Sequence, residues 1–290
     1  KSKMQSKTKR SRNMGLGHYT RIKSRQKKYK LLFNLFIGIL GFFFFFGVIF
    51  LGYAYNLNKN LPDVSSINTF IPNETTKIYS ADEVILAELH QEENRILVPF
   101  SKISNEMKRA VISMEDKKFY RHHGIDFLGI MRALIADIRH GKRVQGGSTI
   151  TQQLARNLFL TKRKKISRKI AEMILAMKIE RHFSKQEILE MYLNQVYWGH
   201  NAYGIESASK LYFGIRASEL TTAQSALLTG MLSGPELYSP YRNPELAIKR
   251  RKIVLNHLLK NNIISRDKYE TALEEPITLS GLKHFKYKAP

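Results

Sequence analysis

Two neighbouring acids, Glu115 and Asp116, are the first residues of this sequence whose type and position could do chemistry. They close a predicted helix and are followed by Phe119, His122 and Gly124. A rigid element holds polar groups at such a helix-to-loop junction, which suits a catalytic carboxylate. An acidic pair at a helix end is also a common surface feature, and a histidine more often makes a structural hydrogen bond than binds a ligand. This motif alone leaves both interpretations open.

A loop rich in glycine and hydroxyl groups leads directly into a predicted helix that carries two glutamines and an arginine. The residues of this group are Gly146, Gly147, Ser148, Thr149, Gln152, Gln153 and Arg156. Free backbone amides at a helix N-terminus, together with hydroxyl groups, can bind phosphate oxygens. The alternative is an ordinary loop in which a hydroxyl side chain caps the helix.

Seven basic residues and no acid lie between positions 156 and 169, and Glu172 follows directly. The basic residues are Arg156, Lys162, Arg163, Lys164, Lys165, Arg168 and Lys169. Lysine acts on phosphate as a point charge and arginine as a bidentate donor, so this run suits a phosphate-rich substrate. The nearby carboxylate could form an ion pair with the run or hold a divalent cation beside bound phosphates.

The charge of the chain points to a membrane rather than to nucleic acid. The formal net charge is +24, and twelve of the basic residues lie in residues 1–30, where there is no acid. This tail precedes an apolar segment that a nucleic-acid-binding protein does not need, so membrane phosphates are the better partner. The absence of cysteine excludes disulfides, cysteine-ligated zinc and a cysteine nucleophile.

Residues 31–55 contain no charged side chain and predict a transmembrane helix. As a helix they would span about 37 Å, enough for a hydrocarbon core of about 30 Å. A signal peptide is disfavoured because the run is long and lacks a small-residue cleavage site. The excess of basic residues before the helix predicts a cytoplasmic N-terminus and an extracytoplasmic remainder.

The rest of the chain is predicted to be mainly α-helical. Alternating residues in a linker, 56–100, predict a short β hairpin. Hydrophobic periodicity and capping patterns then predict a series of helices over residues 105–117, 127–140, 149–158, 166–181, 185–194, 204–212, 222–232 and 244–260. The capping patterns are capping boxes that begin at Ser184 and Thr221, and Asn243 as an N-cap followed by Pro244 at the first helical position. Because the last residues read as part of a longer sequence, residues 278–290 are predicted to begin a connection to a further domain.

Four motifs resemble, in order, the signature motifs of the peptidoglycan glycosyltransferase family. They are Glu115-Asp116-x-x-Phe119-x-x-His122-x-Gly124, Gly146-Gly147-Ser148-Thr149-Ile150-Thr151-Gln152-Gln153, Arg168-Lys169-x-x-Glu172 and Ile188-Leu189-Glu190-x-Tyr192-Leu193-Asn194. The resemblance covers about residues 77–277. The upstream hairpin is more similar to that of bifunctional class A penicillin-binding proteins than to monofunctional transglycosylases.

The resemblance implies a lysozyme-like catalytic domain over residues 101–277, with a small membrane-associated lobe and a cleft that holds Glu115 and Glu172. It also implies polymerisation of lipid II into glycan strands, with inversion at the anomeric carbon and release of undecaprenyl pyrophosphate, in cell wall biosynthesis. A pyrophosphate leaves as a stable anion, so the reaction needs a base and cations rather than a general acid.

We therefore expect Glu115 to be the catalytic base and Glu172 to be the second catalytic residue. Glu172 would coordinate a divalent metal, Mg²⁺, or position the nearby cations. The expected substrate-binding residues are Asp116, His122, Gly147, Ser148, Thr149, Gln152, Gln153, Arg156, Lys164, Arg168, Lys169 and Asn194.

The expected partners are lipid II, the growing glycan strand, membrane lipid, other cell-wall synthesis proteins and, by family resemblance, a moenomycin-type inhibitor. Nucleic acid is not expected. The apolar residues of the helix over residues 127–140 cover more than the single stripe that faces a core, so part of this helix should touch lipid. Two alternatives stay open, namely a lysozyme-like hydrolase or lytic transglycosylase, and an inactive envelope scaffold.

Overall fold

The computed structural model describes residues 30, 33–64, 76–79, 85–89, 94–141, 146–160 and 166–281. The chain divides into two compact units, Lys1–Asn60 and Leu61–Pro290. The predicted boundaries at residues 56, 101 and 278 stay predictions.

The first unit contains α1, the helix Phe33–Lys59, which is 27 residues long with a mean hydropathy of 2.6. No residue of its most apolar stretch is buried, and the helix is long and apolar enough to cross a membrane. The predicted apolar helix is therefore present, and it continues to Lys59 rather than ending at residue 55.

Two small sheets lie in the second unit. Strands β1 (Thr76–Tyr79) and β2 (Ile85–Leu89) pair antiparallel, with Thr76 opposite Leu89, as the predicted hairpin requires. Strands β3 (Asn94–Arg95) and β4 (Ala202–Tyr203) form a parallel pair that the sequence did not predict. Two residues per strand are too few to show an alternating pattern.

Nine helices of the second unit are described after Pro99. They are α2 (Asn105–Glu115), α3 (Phe127–His140), α4 (Ile150–Phe159), α5 (Ile166–His182), α6 (Lys185–Gln195), α7 (Ile205–Phe213), α8 (Thr222–Met231), α9 (Pro244–Lys260) and α10 (Arg266–Glu274). The first eight agree with the predicted helices within two residues at each end, and α10 was not predicted. The mainly α fold class is confirmed.

Side-chain caps explain why several of these helices begin where they do. The capping boxes predicted at Ser184 and Thr221 are both formed. Pro244 occupies the first turn of α9 as predicted, but Asn243 makes no side-chain cap. Instead, the side-chain amide of Asn243 donates to the carbonyl of Leu237 at 2.9 Å.

The larger apolar core surrounds Phe119, Tyr192 and Trp198, none of which is exposed. Around it α4 packs against α5 and α6, while α2 packs against α8 and α9. Burying each large apolar side chain stabilises the fold by roughly 1.5–3 kcal/mol. The helices that carry the predicted site residues are thus held by a common core.

Candidate active site

Glu115 is the last residue of α2 and is half-buried. The amide nitrogen Nε2 of Gln153, on α4, donates to Glu115 Oε2 at 2.9 Å. The other end of the same amide, Oε1, accepts from the Tyr192 hydroxyl at 3.2 Å. The structure therefore brings together Glu115 and Gln153, as predicted, and adds Tyr192.

Asp116 is more deeply buried than its neighbour and is bonded within the protein. Its two carboxylate oxygens lie 3.0 and 2.9 Å from Nε2 of His122. Oδ2 also accepts from the backbone amide of Ile150, in the first turn of α4, at 3.0 Å. Asp116 thus connects the end of α2 with the start of α4.

His122 is held from both sides of its ring. The backbone amide of Gly124 donates to its Nδ1 at 3.2 Å, so the proton that faces Asp116 is on Nε2. A neutral imidazole fits both contacts. The predicted substrate-binding residues Asp116 and His122 therefore bond to partners within the protein. These contacts agree with the structural one of the two interpretations that the sequence left open.

Thr149 caps α4. Its hydroxyl accepts from the amide of Gln152 at 3.1 Å and donates to the carbonyl of Gly124 at 2.7 Å. The side chain of Gln152 accepts from the amide of Thr149 at 3.2 Å, which completes a capping box. Two amides at the N-terminus of α4, those of Ile150 and Gln152, are therefore already bonded within the protein, as in the alternative of an ordinary capped helix.

A second cluster surrounds Glu172 on α5, which is 1% exposed. Arg168 Nε lies 3.1 Å from Glu172 Oε1, and Lys169 Nζ lies 3.0 Å from Oε2. Lys169 also donates to Ser148 Oγ at 2.7 Å and to Gln152 Oε1 at 3.4 Å. Because Arg168 and Lys169 lie four and three residues before Glu172, all three share one helix face.

The contacts of Glu172 bear on the predicted magnesium ion. Each of its two carboxylate oxygens, which would be the metal ligands, faces a cationic side chain. Within the part of the chain that the structure describes, no three acidic or histidine side chains cluster closely enough to hold a metal. A metal at Glu172 would have to displace Arg168 or Lys169 from its oxygens, and magnesium there stays a prediction. The contacts fit the alternative role, in which Glu172 positions the two cations.

Two further predicted residues, Gly147 and Asn194, have other surroundings. A Cβ on Gly147 would lie 3.4 Å from Ile130 Cα, so Gly147 packs against α3. The buried Asn194 amide donates to the Val98 carbonyl at 2.8 Å and accepts from the Val98 amide at 3.1 Å. Asn194 therefore fixes the chain before α2. The prediction for Lys164 lies outside the described residues.

Arg156 lies on α4 near the hydroxyl of Tyr192. Burial raises the pKa of Tyr192 well above its usual value, the charge of Glu115 adds to the rise, and Arg156 opposes it. The carboxylate and the guanidinium are thus both close enough to act on one buried hydroxyl. Tyr192 was not predicted as a site residue, although it lies in the fourth sequence motif.

A partly buried ion pair that contacts His122 was also missed. Lys185 Nζ donates to Glu180 Oε1 and to the carbonyl of His122, both at 2.7 Å. Thr151 Oγ1 donates to the same Glu180 oxygen at 2.6 Å. The two residues of the pair belong to different helices, and their sequence spacing gives no signal of this contact.

Comparison with known proteins places the chain among enzymes of one family. The family model described as Transglycosylase matches residues 82–259. Penicillin-binding protein 1A of Aquifex aeolicus is 41% identical over 255 residues, covering 88% of this chain and 35% of that protein. Penicillin-binding protein 2D of Bacillus subtilis is 42% identical over 219 residues, covering 75% of this chain and 32% of that protein.

The crystal structure of penicillin-binding protein 1A from Haemophilus influenzae aligns with a TM-score of 0.45 and 24% identity, over 74% of this chain and 22% of that chain. The chain spans about a third of the length of the two relatives named above. Since the Transglycosylase match covers more than half of the sequence, the chain belongs to the transglycosylase family, which confirms the peptidoglycan glycosyltransferase assignment made from its motifs.

Proposed function

We propose that this chain polymerises lipid II into glycan strands, with Glu115 as the base. One observation carries the proposal: consecutive glutamines of α4 contact a carboxylate and a cation cluster. Gln153 bonds to Glu115, and Gln152 bonds to Lys169. Transfer of a sugar from a diphosphate donor needs a proton acceptor and cations in one site, and the two glutamines connect these two groups.

The proposed reaction is a single displacement. Glu115 takes the proton of the acceptor hydroxyl while the oxygen of that hydroxyl attacks the anomeric carbon of the donor. The bond from that carbon to the diphosphate breaks, and the electron pair leaves with undecaprenyl pyrophosphate. Attack from the face opposite the leaving group inverts the anomeric carbon. A positioned base typically accelerates such a step by about a hundred- to ten-thousandfold.

Arg168 and Lys169 are proposed to stabilise the negative charge that develops on the diphosphate. Glu172 holds both cations in place. The Ser148 hydroxyl, which Lys169 already contacts, is the hydrogen-bond partner we propose for a diphosphate oxygen. Arg156 is a further candidate cation because its charge, like that of Glu115, acts on the Tyr192 hydroxyl.

The surroundings of Glu172 favour a transferase over a glycoside hydrolase. A hydrolase needs a second carboxyl group that donates a proton to the leaving sugar. An apolar pocket or a neighbouring carboxylate keeps such an acid protonated. Glu172 instead faces Arg168 and Lys169. Product chains should accordingly lengthen rather than shorten.

The membrane is the proposed location of the reaction, because the polyprenyl tail of lipid II stays in the bilayer while its sugars reach Glu115. Helix α1 would anchor the chain, with the N-terminus in the cytoplasm and the catalytic domain outside. Binding of other cell-wall synthesis proteins and of a moenomycin-type inhibitor stays a prediction.

The test is Glu115→Gln, assayed for polymerisation of purified lipid II. The amide has nearly the same shape as the carboxylate but cannot take the proton, so the rate should fall by about a hundredfold or more. Glu270→Gln, at an exposed ion pair with Arg266, is the matched control and should polymerise like the wild type. Retention of more than about a tenth of the rate by Glu115→Gln would remove Glu115 from the base role.

A further inference from the structure

The side-chain amide of Gln153 has a fixed polarity in this structure. Its donor end faces the Glu115 carboxylate at 2.9 Å, and its acceptor end faces the Tyr192 hydroxyl at 3.2 Å. A carboxylate offers only acceptors, so a flipped amide would place oxygen against oxygen. The Glu115 carboxylate therefore sets the orientation of the amide, and the Tyr192 hydroxyl donates to the oxygen that this orientation presents to it.

Tyr192 is well suited to hold this orientation. Its side chain is fully buried on α6 within the main apolar core. The ring therefore has no room to turn away, and a buried hydroxyl is costly to leave without a partner. Burial and the Glu115 charge both raise the pKa of the hydroxyl, so it keeps the proton that it donates.

We propose that Tyr192 is a positioning residue for the catalytic base, acting through Gln153. The directed chain of hydrogen bonds runs from the Tyr192 hydroxyl through the Gln153 amide to Glu115. An N–H donated to a carboxylate stabilises its ionised form. This inference rests on the proposed function only in naming Glu115 as the base.

The first experiment compares Tyr192→Phe with Tyr212→Phe in the full chain. Tyr212 is also fully buried, and its hydroxyl donates to the Trp198 carbonyl at 2.9 Å. Tyr192→Phe should lower kcat about fivefold with little change in KM, the effect of losing one neutral hydrogen bond. It should also move the acidic limb of the pH–rate profile to higher pH, whereas Tyr212→Phe should leave that limb in place. Equal limbs in all three proteins would overturn the proposal.

The second experiment asks whether Tyr192 acts through Gln153. In a Gln153→Met background the bridge is already lost, so Tyr192→Phe should cause no further loss of kcat. Two losses that simply multiply would overturn the proposal. If Tyr192→Phe does not fold, Gln153→Met alone must still move the acidic limb to higher pH, and an unmoved limb would count equally against the chain of bonds.

A readout that is independent of activity separates this inference from the proposed function. The carboxyl carbon of Glu115 can be followed by NMR in protein that carries labelled glutamate. The signal is identified as the one that is missing in Glu115→Gln. The titration of this signal should move to higher pH in Tyr192→Phe and stay unchanged in Tyr212→Phe. If the wild type fails to polymerise lipid II, the proposed function fails, while this titration still decides the role of Tyr192.

Discussion

Two acids that are adjacent in sequence have different surroundings. Helix α2 ends at Glu115, whose half-buried carboxylate accepts from a side-chain amide. Asp116, one residue later, is 7% exposed and accepts from His122 and from the backbone of Ile150. The first is the base that we propose. The second joins two helices.

This contrast predicts that two similar substitutions, Asp116→Asn and Glu115→Gln, differ in their effect on stability. In Asp116→Asn one end of the new amide presents a donor to His122 or to the Ile150 amide, and one buried bond is lost. We expect the free energy of unfolding to fall by about 1–3 kcal/mol. Urea denaturation should show this loss for Asp116→Asn and almost none for Glu115→Gln. Equal midpoints for Asp116→Asn and the wild type would exclude the proposed joining role.

The sequence could identify the motif residues but could not separate substrate contacts from framework contacts. Gln153 with Glu115 and Lys169 with Ser148 come together as a common site requires. Thr149, in the same motif as Ser148, instead uses its side chain to cap α4. Spacing shows that such residues are near one another, but the partner of each side chain depends on the packing of separate helices.

At the scale of elements, α3 differs from the other helices of its unit. Ala133 is its only buried residue. Six large apolar side chains are more than half exposed, namely Phe127, Leu128, Met131, Leu134, Ile135 and Ile138. An apolar face of this size is a membrane or protein interaction site far more often than a bare surface. This arrangement supports the proposed contact with lipid.

Liposome binding tests that contact. A chain without residues 1–60 lacks α1 but keeps the second compact unit, and it should still bind liposomes through α3. Leu128→Glu with Met131→Glu should release it without lowering its melting temperature, because both side chains are exposed.

The matched control uses Ile248→Glu with Ile253→Glu, which places the same two charges at exposed apolar positions of α9. These changes should leave binding intact. Equal binding by the α3 variant and its truncated parent would assign all membrane attachment to α1.

Elements with strong local signals were predicted well, and elements held by tertiary contacts were not. Periodic apolar residues and capping boxes located eight helices closely. The sequence of helix α10 is mostly polar and lacks a clear apolar stripe, because it buries only Tyr269 and Ala272. Its packing against α8 and α9, which no local pattern encodes, completes the second apolar cluster.

At the scale of the whole molecule, the distribution of charge predicts the topology. Twelve basic residues precede α1, with no acid among residues 1–30. Such a segment is retained in the cytoplasm, so the second unit should lie outside.

The absence of cysteine makes this topology measurable without background. In intact cells, a membrane-impermeant thiol reagent should label Ser101→Cys, which is exposed, and should not label Ser6→Cys in the basic tail. Permeabilised cells should show labelling at both positions. Labelling of Ser6→Cys alone in intact cells would reverse the proposed topology.

The hydrogen bonds around Asp116 also join the two ends of the segment that carries α3. The chain leaves this network at Gly124 and returns at Thr149, and the Thr149 hydroxyl bonds to the Gly124 carbonyl at 2.7 Å. The segment that carries α3 thus leaves and rejoins the framework at two residues that are bonded to each other. Loop-closure entropy grows slowly, by about 0.6 kcal/mol for each doubling of length. Helix α3 can therefore change in length and composition to suit different bilayers while the bond from Asp116 to Ile150 and the contact of Ser148 with Lys169 stay in place.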